Sequence, residues 1–166
     1  DIANFTAISE GLSPEDLVEA MKEYFELMTS AISDEGGTVD KFMGDGIMAL
    51  YNAPSALPDH AIRACQSALN AQHRLSQSAG QRVEFRARIG LGIGDVVVGN
   101  MGTQERFAYT ALGDAVNLAS RLEGLNKVYG TSIMASEELR DETGNVFEWR
   151  RLDRVAVKGR QQGTVV

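Results

Sequence analysis

The chain has 166 residues, of which 43% are hydrophobic, a size that suits one buried core and is short for two. Its formal net charge of −7 gives no general attraction for a polyanion, so we expect no nucleic-acid partner, and phosphate recognition must depend on a few placed cations or metal ions. The single cysteine, Cys65, excludes an internal disulfide, and the sequence lacks the Cys/His spacing of a zinc site.

Hydropathy and the two ends of the chain indicate one soluble domain of a larger protein. No apolar run approaches the roughly 20 residues that span a bilayer, and the N-terminus does not resemble a signal peptide. We therefore expect a cytoplasmic domain without direct membrane contact, whether or not the parent protein is membrane-anchored. The abrupt start at Asp1-Ile2 and the strand-like end at Thr164-Val165-Val166 predict that residues 1–166 form a single domain within a longer multidomain chain.

Two helices are predicted in the first half of the chain. Ser13 is a suitable cap and Pro14 a suitable first-turn residue for a helix over residues 13–32, whose apolar residues recur at helical spacing. These residues are Leu17, Met21, Tyr24, Phe25, Met28 and Ile32. Gly36-Gly37 ends the helix. The second helix is predicted over residues 59–76, and its apolar positions include Ile62, Cys65, Leu69 and Leu75.

Strands are predicted after each of these helices. Residues 38–43 and 47–51 flank the tight turn Gly44-Asp45-Gly46, a hairpin signal that holds an acid at the tip. From Val83 to Ile89 apolar and charged residues alternate, which is typical of a half-buried strand with Arg88 facing away from the core.

The rest of the chain mixes strands and helices without strict alternation. The predicted elements are strands over residues 96–98, 106–110, 132–135 and 147–157, a helix after Gly113 and a short helix over residues 137–142. The helix after Gly113 is expected to turn Val116, Ala119 and Leu122 inward. This order favours an α+β fold in which helices pack on a largely antiparallel sheet.

The first candidate site combines two acids. Asp1 belongs to the segment Asp1-Ile2-Ala3-Asn4-Phe5-Thr6, and Asp45 ends the segment Lys41-Phe42-Met43-Gly44-Asp45. Two carboxylates on adjacent strand ends are a common way to hold Mg²⁺, with water and substrate phosphates completing the octahedron. Taken alone, Asp45 is better explained as a turn residue and Asp1 as an unrelated terminal acid, because Gly-Asp-Gly turns are common.

The second candidate site lies on the helix after Gly113 and near the C-terminus. Asn117 and Arg121 are four residues apart, so they project from one helix face, where they could contact a ribose and a phosphate. A solvated helix face explains the same pair. Lys158, in Val157-Lys158-Gly159, is on its own an ordinary surface lysine.

Together these segments resemble the class III adenylyl and guanylyl cyclases. The resemblance spans nearly the whole chain, because all the segments, with Arg88-Ile89-Gly90 and the block Gly113 to Arg121, occur in family order. It implies the nucleotide cyclase fold, with a ferredoxin-like core. It also implies a head-to-tail homodimer whose two active sites lie at the interface and draw residues from both subunits.

The resemblance assigns metal and phosphate ligands. Asp1 and Asp45, with the Ile2 carbonyl, would bind two Mg²⁺ (or Mn²⁺) ions. Arg88 and Lys158 would hold the triphosphate of ATP, together with the loop containing Phe5 and Thr6.

The resemblance also assigns residues to the ribose, the transition state and the base. Asn117 would orient the ribose, and Arg121 would stabilise charge on the α-phosphate. Lys41 stands where adenylyl cyclases have lysine, and it can donate to adenine N1. Thr110 stands where many of them have aspartate, and its hydroxyl can accept from the adenine amine. This Lys/Thr pair favours ATP and resembles the subgroup that includes bicarbonate-responsive soluble cyclases.

Three alternatives remain open from the sequence. One is a guanylyl or dual-specificity cyclase, and another is an inactive cyclase-like domain that serves as a regulatory dimerisation module. The third, a diguanylate cyclase or other palm-like nucleotide enzyme, is disfavoured because no Gly-Gly-Asp/Glu-Glu-Phe signature is present. Offering ATP and GTP side by side and identifying the cyclic product would separate these alternatives.

Overall fold

The computed structural model of the protein describes residues 1–77, 83–103, 107–155 and 164–166. Up to the middle of the chain the elements are α1 (Phe5–Glu10), α2 (Pro14–Asp34), β1 (Thr38–Met43), β2 (Gly46–Leu50), α3 (His60–Gln77) and β3 (Ile89–Leu91). They are followed by β4 (Val97–Gly102), β5 (Phe107–Leu112), α4 (Asp114–Tyr129), β6 (Ile133–Ala135), α5 (Glu137–Thr143), β7 (Arg154–Val155) and β8 (Thr164–Val165).

Strand pairing is mostly antiparallel. The pairs β1–β2, β4–β5 and β7–β8 are antiparallel, whereas β3 and β6 run parallel. An isolated antiparallel bridge joins Ile2 to Ala87. The predicted α+β class, with helices on largely antiparallel strands, is confirmed.

The helix α2 begins where the sequence predicts. The Ser13 hydroxyl accepts a hydrogen bond from the Asp16 backbone nitrogen, which satisfies one of the free donors of the first turn. Tyr24, Met28 and Ile32 of α2 are buried as predicted. Tyr24 and Met28 pack in a core with α3 and with Ile2, which is 1% exposed. None of the described helices is long and apolar enough to span a membrane.

Helix α4 lies directly against β3. Cβ atoms added at Gly90 and Gly92 would overlap the α4 backbone, at Ala119 and Ala115 respectively, so only glycine allows this contact. The buried Asn126 links α4 to β3, because its side-chain nitrogen donates to the Ile89 carbonyl at 3.0 Å. The strand and the helix are thereby held in one relative position.

Several local predictions are wrong in extent. Between residues 83 and 89 the ladder consists of the Ala87 bridge and the start of β3, although Phe85 and Ala87 are buried as the alternation predicts. The predicted strand 147–157 is a strand only at β7 within its described part, residues 147–155. The predicted position Val157 lies outside the described residues, as does Arg106 at the start of the strand 106–110.

Some inward-facing residues also differ from the prediction. Leu69 of α3 is exposed, and the buried face of that helix is formed largely by small residues. In α4 the inward positions include Ala115 and Leu118, one residue before the predicted Val116 and Ala119. Apolar periodicity identifies a helix, but it does not predict which small residues will be buried. Here small residues allow close packing.

The contact between β3 and α4 predicts a large effect of a single methyl group. Gly90→Ala should lower the free energy of unfolding by about 1–3 kcal/mol or more, because the added Cβ meets backbone rather than a side chain that can move. Gly124→Ala, in α4 with open space around its Cβ, is the matched control and should stabilise by up to about 1 kcal/mol. Urea unfolding of both variants measures the difference, and equal midpoints would contradict the packing argument.

Candidate active site

The segment that precedes α1 brings Asp1 to the tip of the β1–β2 hairpin. Its backbone pairs with residues 86–88, since the Arg88 nitrogen donates to the Asp1 carbonyl at 2.8 Å and the Ala3 nitrogen to the Arg86 carbonyl at 2.7 Å. The Ile2 nitrogen donates to Asp45 Oδ2 at 3.1 Å. A Cβ added at Gly46, beside Asp45, would lie 3.8 Å from Asp1 Oδ2. The two predicted acids, Asp1 and Asp45, are therefore neighbours, although they lie in distant parts of the sequence.

The turn between β1 and β2 fixes the position of Asp45. Gly44 has a φ of 66°, in the left-handed region that glycine adopts without strain. This tight turn leaves the Asp45 side chain at the hairpin tip, where one carboxylate oxygen is occupied by the Ile2 nitrogen. The other oxygen has no hydrogen-bond partner among the residues that the structure describes, so it remains available for a cation.

The donor set suits a hard divalent cation. Among the described residues there is no group of three or more His, Cys, Asp and Glu side chains that could hold a metal ion. Asp1, Asp45 and the Ile2 carbonyl offer oxygen ligands only. Mg²⁺ commonly binds through one or two carboxylates and takes its remaining ligands from water and substrate phosphates. The residues present thus fit Mg²⁺ or Mn²⁺ bound together with a phosphate compound, and they do not form a closed protein cage.

Arg88 lies between two acids. Its Nη2 is 2.7 Å from Asp1 Oδ1, and its Nε is 2.9 Å from Glu123 Oε1. The second contact is an ion pair, and neither of its two atoms has a hydrogen-bond partner within the described parts of the chain. We call Asp1, Asp45, Arg88 and Glu123 the acid cluster. The sequence prediction missed Glu123, whose only signal was its position two residues after Arg121 on α4.

Asn117 and Arg121 share one face of α4, as predicted. Asn117 is exposed and Arg121 is half-buried. The Arg121 Nη1 atom is buried and has no hydrogen-bond partner within the described parts of the chain. Buried guanidinium nitrogens are rarely left unpaired. The free nitrogen is thus a candidate contact for an anionic ligand, and the helix presents Asn117 one turn away.

Lys41 and Thr110 meet although 69 residues separate them. Lys41 Nζ donates to Thr110 Oγ1 at 2.8 Å. The Thr110 hydroxyl donates in turn to Asp40 Oδ2 at 2.8 Å, and Lys41 Nζ lies 3.4 Å from the same oxygen. We call these three residues the Lys41 cluster. Asp40 is a second residue that the sequence prediction missed, because regular strand alternation would place it on the face opposite Lys41.

The side chain of Tyr24 is buried and lies near the acid cluster. Its ring packs edge-on against Phe85, with centroids 5.5 Å apart. Burial raises the pKa of the Tyr24 phenol well above its usual range, and the charge of Asp45 adds to the effect. The phenol therefore stays protonated at any ordinary pH and adds no charge beside the two acids.

The remaining predicted residues are placed as follows. Phe5 and Thr6 begin α1, with Phe5 packed on the core and Thr6 exposed. Lys158 lies outside the described residues. No hydrogen bond or ion pair between described residues joins the acid cluster to the Lys41 cluster. One chain thus presents two separate groups of predicted site residues.

Comparison with known proteins identifies relatives over the whole chain. The sequence profile described as Adenylate and Guanylate cyclase catalytic domain matches residues 1–166. Adenylate cyclase 1 of Rhizobium meliloti (strain 1021) is 45% identical over 96% of this chain and 25% of that protein. The adenylate cyclase of Anabaena cylindrica is 37% identical over 98% of this chain and 34% of its own length. The chain thus spans about a quarter to a third of these relatives.

Two solved structures share the fold closely. The adenylyl cyclase CyaB from P. aeruginosa is 30% identical with a TM-score of 0.88, covering 99% of this chain and 87% of that one. The guanylyl cyclase Cya2 is 34% identical with a TM-score of 0.85, covering 99% of this chain and 85% of that one. One neighbour carries an adenylyl and the other a guanylyl name, so similarity of fold does not select the base.

Proposed function

The chain belongs to the family of adenylate and guanylate cyclase catalytic domains, and on that premise we propose that it converts ATP to 3′,5′-cyclic AMP and pyrophosphate. The 3′-oxygen of ATP attacks the α-phosphorus in line and forms the new ester bond. The bond from the α-phosphorus to the oxygen that bridges to the β-phosphate breaks, and pyrophosphate leaves. The hydroxyl proton passes to solvent.

The observation that carries the choice of ATP is the hydrogen bond between Lys41 and Thr110. Adenine offers an acceptor at N1 and a donor at its C6 amine, whereas guanine offers N1–H and a carbonyl. An ammonium group can only donate and therefore matches adenine N1. A neighbouring hydroxyl oxygen can accept from the amine. The relatives named adenylate cyclase support the same choice.

The phosphates would be held by a small number of cations. Arg88 in the acid cluster and Lys158 are assigned to the triphosphate, and the unpaired nitrogen of Arg121 supports its assignment to the α-phosphate. Asn117 is assigned to the ribose. Two Mg²⁺ or Mn²⁺ ions at Asp1, Asp45 and the Ile2 carbonyl would activate the 3′-hydroxyl and neutralise the leaving pyrophosphate. The protein's own contribution is then mainly positioning and charge complementarity.

A homodimer with shared sites is supported by the exposed apolar side chains. Val97 and Leu112 face each other across the β4–β5 hairpin and are 67% and 56% exposed, and Phe107 on the same hairpin is 64% exposed. Phe42 and Met43, beside the Asp45 turn, are also more than half exposed. Apolar groups concentrated this way mark an interaction surface. In the head-to-tail homodimer that the resemblance to cyclases implies, the partner would bring its Lys41 cluster and α4 to this chain's acid cluster.

The metal assignment predicts the effect of removing one acid. Asp45→Ala should reduce turnover of ATP below about a tenth of wild type, because loss of a two-metal site raises the barrier by several kcal/mol. The fold should survive, since among the described residues the Asp45 side chain is joined to the protein by one hydrogen bond, from the Ile2 nitrogen. Asp141→Ala, which removes an exposed acid of α5, is the control and should keep wild-type turnover. An Asp45→Ala variant that keeps more than about a tenth of wild-type turnover would refute the metal assignment.

The base assignment predicts the cyclic product. With ATP and GTP offered together, the wild type should form cyclic AMP in large excess. Lys41→Glu combined with Thr110→Cys should shift the product ratio toward cyclic GMP. A site binds a base weakly when that base leaves the polar groups of the site without hydrogen-bond partners, so changing these groups should change which base is preferred. Chromatography of the products measures the ratio. Excess cyclic GMP from the wild type would indicate a guanylyl cyclase, and no cyclic product from either nucleotide would indicate an inactive module.

The shared-site arrangement predicts complementation between two inactive variants. Asp45 and Asn117 would serve opposite sites of the dimer, so Asp45→Ala and Asn117→Ala should each be nearly inactive alone. After subunit exchange, half of the dimers are mixed, and each mixed dimer has one intact site. Activity should then recover to roughly a quarter of wild type and fall on dilution below the dimer dissociation constant. An inactive mixture in which exchange is demonstrated independently would exclude the shared site.

A further inference from the structure

Asp40 and Lys41 are consecutive residues of β1, yet both contact the same hydroxyl. In a regular strand, neighbouring side chains point to opposite faces of the sheet. Here the pairing of β1 with β2 shifts between Val39 and Lys41, which leaves Asp40 as the extra residue of a β-bulge. Bulges re-aim side chains and are common next to active sites. This bulge directs Asp40 and Lys41 together at Thr110.

The hydrogen bonds around Thr110 determine what its oxygen can still do. A hydroxyl carries one hydrogen and two lone pairs. The hydrogen is donated to Asp40 Oδ2, and one lone pair accepts from Lys41 Nζ. A single lone pair is left for a ligand, so the hydroxyl can accept one further hydrogen bond and has no hydrogen to give.

The buried position of the Asp40 side chain is energetically unfavourable. Its side chain is 0% exposed, and its Oδ1 atom has no hydrogen-bond partner within the described parts of the chain. Burying a carboxylate is costly even beside a cation. Replacing a buried ion pair as a whole by apolar residues is often neutral or stabilising, so the fold by itself does not require the Asp40–Lys41 pair. The position of Asp40 therefore points to a role in the chemistry of the Lys41 cluster.

We propose that Asp40 is a specificity-determining positioning residue, which makes the Thr110 hydroxyl an obligate acceptor and so selects a purine with an amino group at C6 over one with a carbonyl. This inference rests on the proposed function, in which Thr110 meets the C6 edge of the base. Without Asp40, the hydroxyl could rotate and donate to a C6 carbonyl. Threonine alone would then tolerate both kinds of purine.

The test compares binding of two triphosphates that differ in this edge of the base. 3′-Deoxy-ATP and 3′-deoxy-ITP lack the attacking hydroxyl, so their dissociation constants can be measured by calorimetry without turnover. Asp40→Ala should reduce the preference for 3′-deoxy-ATP by roughly tenfold or more. Asp40→Asn retains an acceptor oxygen and should keep the wild-type preference within about threefold. Asp40→Leu, which fills the buried space, replaces the alanine variant if that variant does not fold.

A double-mutant cycle separates positioning from general effects. In a Thr110→Val background, Asp40→Ala should leave the ratio of the two dissociation constants unchanged within about threefold. A further loss in that background, or an equal loss in Asp40→Asn, would show that Asp40 acts through the charge of Lys41 and would overturn the proposal. So would an Asp40→Ala variant with the wild-type preference. Failure of the wild type to bind either analogue would instead refute the proposed function.

Discussion

The close contact between β3 and α4 is the constraint on which the candidate site depends. Gly90 and Gly92 let the helix backbone approach the strand directly, and the buried Asn126 holds it there. Arg88 immediately precedes β3, while Arg121 and Glu123 are on α4. Because strand and helix meet without intervening side chains, Arg88 reaches Glu123 at 2.9 Å and Asp1 at 2.7 Å at the same time. The contact between β3 and α4 thus fixes the relative position of two members of the acid cluster, Arg88 and Glu123.

Local signals in the sequence were enough to predict much of this frame. The Ser13 cap, the glycine turn around Asp45 and the helix after Gly113 each depend on residues that are near one another in the chain, and each is observed. The meeting of Lys41 with Thr110 is different. It was expected only through resemblance to a family, because no local rule relates residues that are 69 positions apart.

What the sequence could not predict depends on geometry between elements. Asp40 belongs to the Lys41 cluster only because of a bulge, and strand alternation by itself points it away. Glu123 was indistinguishable from any helix-surface acid until the approach of β3 was known. The sequence analysis also did not predict helix α1, and it predicted a strand over the segment before β7, most of which is not a strand. Short elements such as these depend on tertiary contacts more than on propensity.

The pairing of cations with acids explains how a chain of net charge −7 could bind the anionic substrate that we propose for it. Arg88 is held between Asp1 and Glu123, and Lys41 between Asp40 and Thr110, so neither side chain has to be ordered when a ligand arrives. Such preorganisation lowers the entropic cost of binding. Within the described residues of the site, Arg121 has a buried guanidinium nitrogen, Nη1, that makes no hydrogen bond to an acid. In the proposed mechanism this is the residue that meets the phosphate where negative charge develops, and an acid paired with it there would weaken the interaction that the transition state requires.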